Sequence, residues 1–281
     1  MRWVTCALVL LALPSRAVAA DLDIFRPVQP VGPANFANWS GVYVGGQFGL
    51  VDTSADFSKA TAPPIAYALR ETTLENDIKP SDWPVLGTAD HHATSFGGYI
   101  GYNSQWQDLI LGIEGNYNHT SISLIAPSST IARQTPADSA GNVYDVQISA
   151  TGKLTNFDYG TIRARAGWVF DNFFLPYGFL GLAVGKADVS ILANVDGVQN
   201  PPTDGGPCLS TNTPACVPFS FSANGGKNSE VLYGFAGGVG MDVALTQNVF
   251  LRGEYEYVRF VPINDTLIAV SNFRAGLGFK F

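Results

Sequence analysis

The stretch SNFRAGLGFKF, Ser271 to Phe281, decides how the rest of the chain is read. Phe273, Ala275, Leu277, Phe279 and Phe281 occupy every second position, and Arg274, Gly276, Gly278 and Lys280 fill the gaps. A two-residue period places successive side chains on opposite faces of a strand. One face is oily and aromatic, and the other is small and cationic. The same division recurs upstream. In VFLRGEYEYVRFV, Val249, Leu251, Tyr255 and Tyr257 oppose Arg252, Glu254 and Glu256. In EVLYGFAGGVGMDVAL, Val231, Tyr233, Phe235, Val239, Met241 and Val243 oppose Leu232, Gly234, Ala236, Gly238, Gly240 and Asp242. A soluble protein buries its oily face. In a membrane barrel that face meets lipid, and the polar face lines the interior.

Further alternating runs cover Ser40 to Asp52, Ser95 to Gln107, Asp108 to Ile122 and Thr155 to Phe170. An eighth, Phe173 to Ile191, alternates poorly, and its faces are left unassigned. With Glu230 to Leu245, Val249 to Val261 and the closing run, eight strands are expected. Tight turns near Gln107-Asp108, Asp171-Asn172 and Thr246-Gln247-Asn248 alternate with long polar connections, the longest from Leu192 to Lys227. Hairpins with short turns at one end and long loops at the other describe an outer-membrane barrel, for which eight is a usual small even number. The expected fold is therefore an all-β, eight-stranded antiparallel transmembrane β-barrel with long extracellular loops and short periplasmic turns.

Composition agrees. Of 281 residues only 14% are charged, while 30 are glycine and 12% aromatic. Beyond the N-terminal segment no run of 18 apolar residues could make a spanning helix. That segment has Arg2, an apolar stretch from Val4 to Leu13 and the site Ala17-Val18-Ala19, the pattern of a secretory signal peptide. We expect a signal peptide over 1–20, an extended Pro-rich lead-in over 21–38, and the barrel over 39–281. Loss of Arg2 and Arg16 reduces 16 basic residues to 14 against 23 acidic, a balance of −9. With no basic patch, nucleic acid is not an expected partner. Cys208 and Cys216 lie in DGGPCLSTNTPACVP; in an oxidising compartment they are expected to form a loop disulfide.

Seven charges fall on the inward face: Glu114, Arg163, Arg165, Arg252, Glu254, Glu256 and Arg274. Glu114, Arg165 and Glu254 lie about five residues from the tight-turn end, which at ~3.3 Å per residue is near mid-membrane. Charges at that depth pair or face water, and an eight-stranded barrel has room only for its own side chains. An interior ion-pair network is expected, with a selectivity ring as the alternative. Arginines beside Glu254 and Glu256 hold them ionised and argue against acid–base catalysis. His91, His92 and His119 lie towards the loop ends without metal-ligand spacing. Gly237-Gly238-Val239-Gly240 lies mid-strand with no following helix or Lys, so small inward residues explain it better than a phosphate loop. G-x-S-x-G, H-E-x-x-H and P-loop motifs do not occur. Neither an enzyme nor a cofactor is expected.

WSGVYVGGQFG (Trp39 to Gly49), GGYIGYNSQWQDLILGIEGNY (Gly97 to Tyr117), IRARAGWVFDNFFLPYGFLGLAVG (Ile162 to Gly185), LRGEYEYVRF (Leu251 to Phe260) and SNFRAGLGFKF resemble the small alphaproteobacterial outer-membrane β-barrels of the 25/31-kilodalton surface-antigen type, distantly similar to the OmpA transmembrane barrel. The resemblance covers nearly all strands and little of the loops. It implies a non-enzymatic barrel that supports envelope integrity and surface contact; small-solute porins and haem-binding surface proteins are the alternatives among relatives. Implied partners are outer-membrane lipid and lipopolysaccharide, the barrel-assembly machinery, and peptidoglycan or host and environmental surfaces. Phe281 resembles the C-terminal aromatic signal read by that machinery.

Overall fold

The computed structural model describes residues 38–171, 173–200, 216–262 and 265–281. In chain order it contains strands β1 (Gly41–Asp56), β2 (Thr88–Trp106), β3 (Leu109–Thr120), β4 (Ser123–Gln134), β5 (Val143–Trp168), β6 (Phe174–Asn200), β7 (Val217–Ala244), β8 (Val249–Phe260) and β9 (Leu267–Lys280). Two short helices, α1 (Ala62–Leu69) and α2 (Thr73–Ile78), lie between β1 and β2. Every pairing is antiparallel. β1 joins β2 and β9, β2 joins β3, β3 joins β5, and β5 runs through β6, β7 and β8 back to β9. Eight strands thus close a ring that leaves no transmembrane edge. β4 is a ninth strand outside the ring. It resumes just past the end of β3 and pairs with the far half of β5, from Ser123↔Thr155 to Gln134↔Asp145.

Polarity in the ring is inverted relative to a soluble protein. Ile162 and Leu180 are 76% exposed and Phe235 is 68% exposed, while Arg163 beside Ile162 is 2% exposed. Such an apolar outer belt is stable only against lipid. Trp106, Trp168, Phe170, Phe279 and Phe281 stand exposed at the tight-turn end, where an interfacial aromatic girdle belongs.

β5, β6 and β7 are 26, 27 and 28 residues long, whereas about 9–11 residues cross a membrane. The surplus corrects the expectation of long loops. Much of the stretch between β3 and Thr155, and both ends of the Leu192 to Lys227 connection, are paired strand. Above the membrane the inward side chains are apolar: Val146, Ile148, Val189, Ile191 and Val195 are buried, together with Ile65 and Leu69 of α1. The outward ones there include Asp188, Asn194 and Asp196. Each long strand therefore reverses its oily face on leaving the bilayer. Phe173 to Ile191 straddles this reversal, which is why its alternation reads poorly.

Two strands also change inward parity at bulges. In β5 the buried positions are even up to Leu154 and odd from Phe157, across an irregularity between Thr155 and Asp158. In β7 buried Ala223 is odd, whereas Leu232 and Ala236 are even, across an irregularity between the pairs Ala187↔Glu230 and Val189↔Lys227. An extra residue flips every later side chain to the other face. Asn156 (φ 52°) and Ser229 (φ 60°) take the left-handed conformation that such bulges use.

α1 carries Pro63 and Pro64 in its first turn, where proline fits, and buries Ile65 and Leu69 one turn apart. At the start of α2 the Thr72 hydroxyl accepts from the Glu75 backbone N–H at 3.2 Å, a side-chain N-cap. The helical connection is tied to the β4–β5 hairpin through Asp138. Its carboxylate accepts from Tyr144 Oη at 2.7 Å, the Asn142 N–H at 2.8 Å and Thr73 Oγ1 at 3.0 Å. Burial raises the Asp138 pKa, but these hydrogen bonds outweigh it and hold the carboxyl well below the usual aspartate range.

Candidate functional site in the barrel lumen

The lumen is filled in three storeys. Nearest the tight turns lies an aromatic layer of Trp39, Tyr43, Tyr99, Tyr177, Phe179 and Phe250. The Trp39 backbone N–H donates to Gln105 Oε1 at 2.8 Å, and its ring meets Phe250 edge-on at 5.9 Å between centroids. Inward glycines on adjacent strands make room for these rings. Tyr99 lies against Gly45, Tyr43 against Gly101, Tyr177 against Gly240, Phe179 against Gly238 and Phe250 against Gly278. A side chain at any of the five would collide with the ring, so the recurrent inward glycine is a packing partner of an inward aromatic.

The middle storey holds charge. Arg163, Arg165, Arg252 and Arg274 meet Glu114, Asp242, Glu254 and Glu256, and all eight side chains are 0–1% exposed. Four cations and four anions leave no net charge. Glu254 accepts from Arg163 Nη1 and Nη2, Arg274 Nε and Tyr177 Oη, each at 2.7 Å. Glu114 accepts from Tyr43 Oη at 2.7 Å, Arg252 Nη1 at 2.8 Å and Arg163 Nε at 3.1 Å. Asp242 accepts from Arg165 Nη2 at 2.7 Å and Arg252 Nε at 2.8 Å. Glu256 accepts from Arg274 Nη1 at 2.8 Å and Tyr159 Oη at 3.1 Å. Burying an ion costs several kcal/mol, and only multiple hydrogen bonds with opposite charge offset that cost. The guanidinium faces are used as well: Arg165 stacks over Tyr177 at 3.7 Å, and Arg252 over Tyr99 and Arg163 over Phe179 at 4.0 Å.

Above the charges sits an amide layer. Gln47 Nε2 donates to Asn116 Oδ1 at 2.9 Å and Asn118 Oδ1 at 2.7 Å, and Asn272 Nδ2 donates to Tyr159 Oη at 3.0 Å. The apolar core of the outer half, with Phe157, Val258, Phe260 and Val270, closes the top.

All seven residues expected on the inward face lie in this one cluster. Asp242 joins them as an eighth charge, and its signal is the inward parity it shares with Gly238 and Gly240. Tyr43, Tyr99, Tyr159 and Tyr177 join the cluster too, although aromatic residues in such barrels are expected chiefly at the lipid interfaces. Their signal was parity: Tyr159 shares its face with Arg163 and Arg165, and Tyr43 with Gln47. Gly237-Gly238-Val239-Gly240 lies within β7, where Gly238 and Gly240 make the two contacts above.

The histidines sit elsewhere, on β2 and β3. His92 Nδ1 lies 3.3 Å from Asp52 Oδ1 and His119 Nδ1 2.7 Å from Asp158 Oδ1. Among the described residues no group of three His, Cys, Asp or Glu side chains could hold a metal ion. Cys208 of the expected disulfide lies outside the described residues, as do the expected signal peptide and nearly all of the lead-in. Phe281 donates its backbone N–H to Val42 O at 3.0 Å and stacks edge-on against Phe279 at 5.2 Å between centroids.

The family model described as outer membrane protein beta-barrel domain matches residues 6–281. The 25 kDa outer-membrane immunogenic protein of Brucella ovis is 23% identical over 273 residues, covering 96% of this chain and 93% of the relative. Its Brucella melitensis counterpart is also 23% identical, over 281 residues, with the same shares covered. Among solved structures, Neisserial surface protein A is 16% identical with a TM-score of 0.39, the match covering 86% of this chain and 98% of that one. OprG of Pseudomonas aeruginosa is 14% identical with a TM-score of 0.37, covering 89% and 98%.

Proposed function

The chain belongs to the outer membrane protein β-barrel domain family and resides in the outer membrane, and from that premise we propose that it is a sealed structural barrel whose task is to hold a folded module at the cell surface. The observation that carries this reading is the neutral lumen cluster, in which each of four arginines touches two or more carboxylates with no more than 1% of any side chain exposed. A selectivity ring works through water-exposed charges of one sign. Here the charges neutralise one another between an aromatic floor and an apolar ceiling, and neither layer offers an ion a hydrated path.

The second half of the reading concerns what the barrel displays. With about 9–11 residues needed to cross, well over half of β5, β6 and β7 stands outside the membrane. That portion shares one apolar core with the helical connection between β1 and β2, so its surface is preformed. It supports a role in contacts with surface polymers or other cells, with the barrel as anchor and Phe281 as an address for the assembly machinery.

Planar-bilayer recordings of the purified protein test the seal. No steady conductance is expected, and a stable ohmic channel in the wild-type protein would overturn the reading in favour of a small-solute porin.

A further inference from the structure

Between α1 and the concave face of the outer sheet lies a cleft of about 490 Å³. On its inner side α1 is fully committed, since Ile65 and Leu69 are buried in the outer core. On the opposite side Pro64 meets β7 at Gly225, while Tyr67 stands clear of the sheet. Pro63, Pro64 and Tyr67 form one wall, Phe221 and Ala223 of β7 the other, and Ile191 of β6 the floor. Ala223, Gly225 and Gly226 of β7 line it as well, and Gly225 lets Pro64 approach closely, since a Cβ there would lie 3.2 Å from the proline ring. Tyr67 is left 69% exposed, whereas Ile65 and Leu69 of the same helix are buried.

Among the described residues one charged side chain lines the cleft, and it is a cation. The Arg70 guanidinium stacks 4.2 Å above the Tyr67 ring and donates from Nη1 to the Tyr67 carbonyl at 2.8 Å. Among the described residues its one carboxylate neighbour is the 85% exposed Glu71, at 3.8 Å from Nε, a loose pair in water that contributes little. Among the described residues no partner engages Nη2, which leaves it to donate to an anion at the rim. Apolar walls with one convergent polar group, in a void of this size, have the make-up of a small-ligand site.

We propose that this cleft binds an amphipathic aromatic carboxylate from the external medium. Its ring lies between the proline and tyrosine wall and Phe221, and its carboxylate meets Arg70. The flat faces of Pro63, Pro64, Tyr67 and Phe221 favour a planar body over a branched one, and a guanidinium already oriented by stacking favours a carboxylate over a neutral amide. This site is independent of the lumen, so its failure would leave the sealed-barrel reading untouched, and a conducting barrel would leave this site untouched.

The test is calorimetric titration of the full chain in lipid nanodiscs with 3-phenylpropionate and with its neutral amide, using empty nanodiscs as blank. Saturable binding of the carboxylate is expected, with the amide roughly tenfold weaker. Arg70→Gln should abolish that preference, and Ala223→Phe should abolish binding by filling the void. Tyr67→Ala, at an exposed position that folding does not need, should weaken the carboxylate severalfold. Absence of saturable binding to the wild-type chain, or equal binding by all three variants, would overturn the proposal.

Discussion

Asp188 on β6 accepts the backbone N–H of Ser229 on β7 at 2.6 Å. The same carboxylate accepts Asn156 Nδ2 from β5 at 2.7 Å. Asn156 and Ser229 are the two left-handed bulge residues at which β5 and β7 change inward parity. One exposed side chain therefore joins the bulges of β5 and β7 across the strand between them, at the level where the oily face passes from outside to inside. The bulges let a lipid-facing barrel continue into an outwardly polar sheet without a break in pairing, and Asp188 fixes where that change happens.

Replacing Asp188 by Ala should loosen the junction while leaving the bilayer part intact. In hydrogen–deuterium exchange the outer segment Val217 to Gly226 should exchange faster, with Leu232 to Asp242 unchanged. Uniform protection in both segments would show that pairing alone holds the bulges. Asp188→Asn should fall between, because an amide oxygen can still accept from Ser229 but with a weaker bond.

Asp138 supplies a pH test of the second attachment, between the helical connection and the β4–β5 hairpin. Its folded pKa is depressed, so its contribution is complete above the ordinary aspartate value of about 3.9 and is lost only as pH falls through the lower folded value. Resistance of the Ala62 to Ile78 segment to pepsin should hold at about pH 4.5 and fail only in stronger acid. Asp138→Asn, which cannot act as a charged acceptor, should already be cut at about pH 4.5. An identical pH profile in both proteins would remove Asp138 from this role.

Much of this architecture is legible in the sequence, and the illegible parts have physical causes. The alternation of Phe273, Leu277 and Phe279 with Arg274 marks a strand, and the tight turns beside Gln107 and Asn248 set the hairpins. The inward face of Glu114, Arg163 and Glu254 follows from parity alone. What parity does not give is the outer half of β5 to β7, because a reversal of the oily face and an odd-residue bulge both look like lost periodicity. Val143 to Leu154 does alternate, with Tyr144, Val146, Ile148 and Leu154 buried, but its oily face is the opposite one to that of Ile162 and Ala164. The helices were signalled by Pro63-Pro64 before Ile65 and Leu69, and by Thr72 three residues before Glu75. Both signals lie in a stretch that composition marks only as polar.

Glu254 is one of two hubs of the lumen cluster, accepting from two arginines and Tyr177, as Glu114 accepts from three arginines and Tyr43. Glu254→Ala leaves buried guanidinium groups short of a partner, a change that costs about 3–5 kcal/mol where buried pairs are broken. Urea unfolding from lipid vesicles should show a loss of that order, against less than about 1 kcal/mol for Glu71→Ala at the exposed Arg70 pair. Equal effects of the two substitutions would mean that the cluster adds nothing beyond surface pairing.

The glycine under Tyr177 gives a sharper test, since it concerns shape without charge. A Cβ at Gly240 would lie 2.5 Å from the Tyr177 ring, and the ring cannot swing away without giving up its hydrogen bond to Glu254. Gly240→Ala should therefore destabilise the barrel by about 1–3 kcal/mol, the usual range for overpacking. Gly253, on the outward face of β8, has nothing within 4 Å of a Cβ, and Gly253→Ala should be neutral or slightly stabilising through reduced backbone freedom in the unfolded chain. In Gly240→Ala combined with Tyr177→Phe the ring is released from Glu254, so the double variant should lose less than the sum of the two single losses. The comparison is read from unfolding midpoints of the four proteins in vesicles. Strict additivity would place the steric and the hydrogen-bonded roles of Tyr177 on independent footings and refute their coupling.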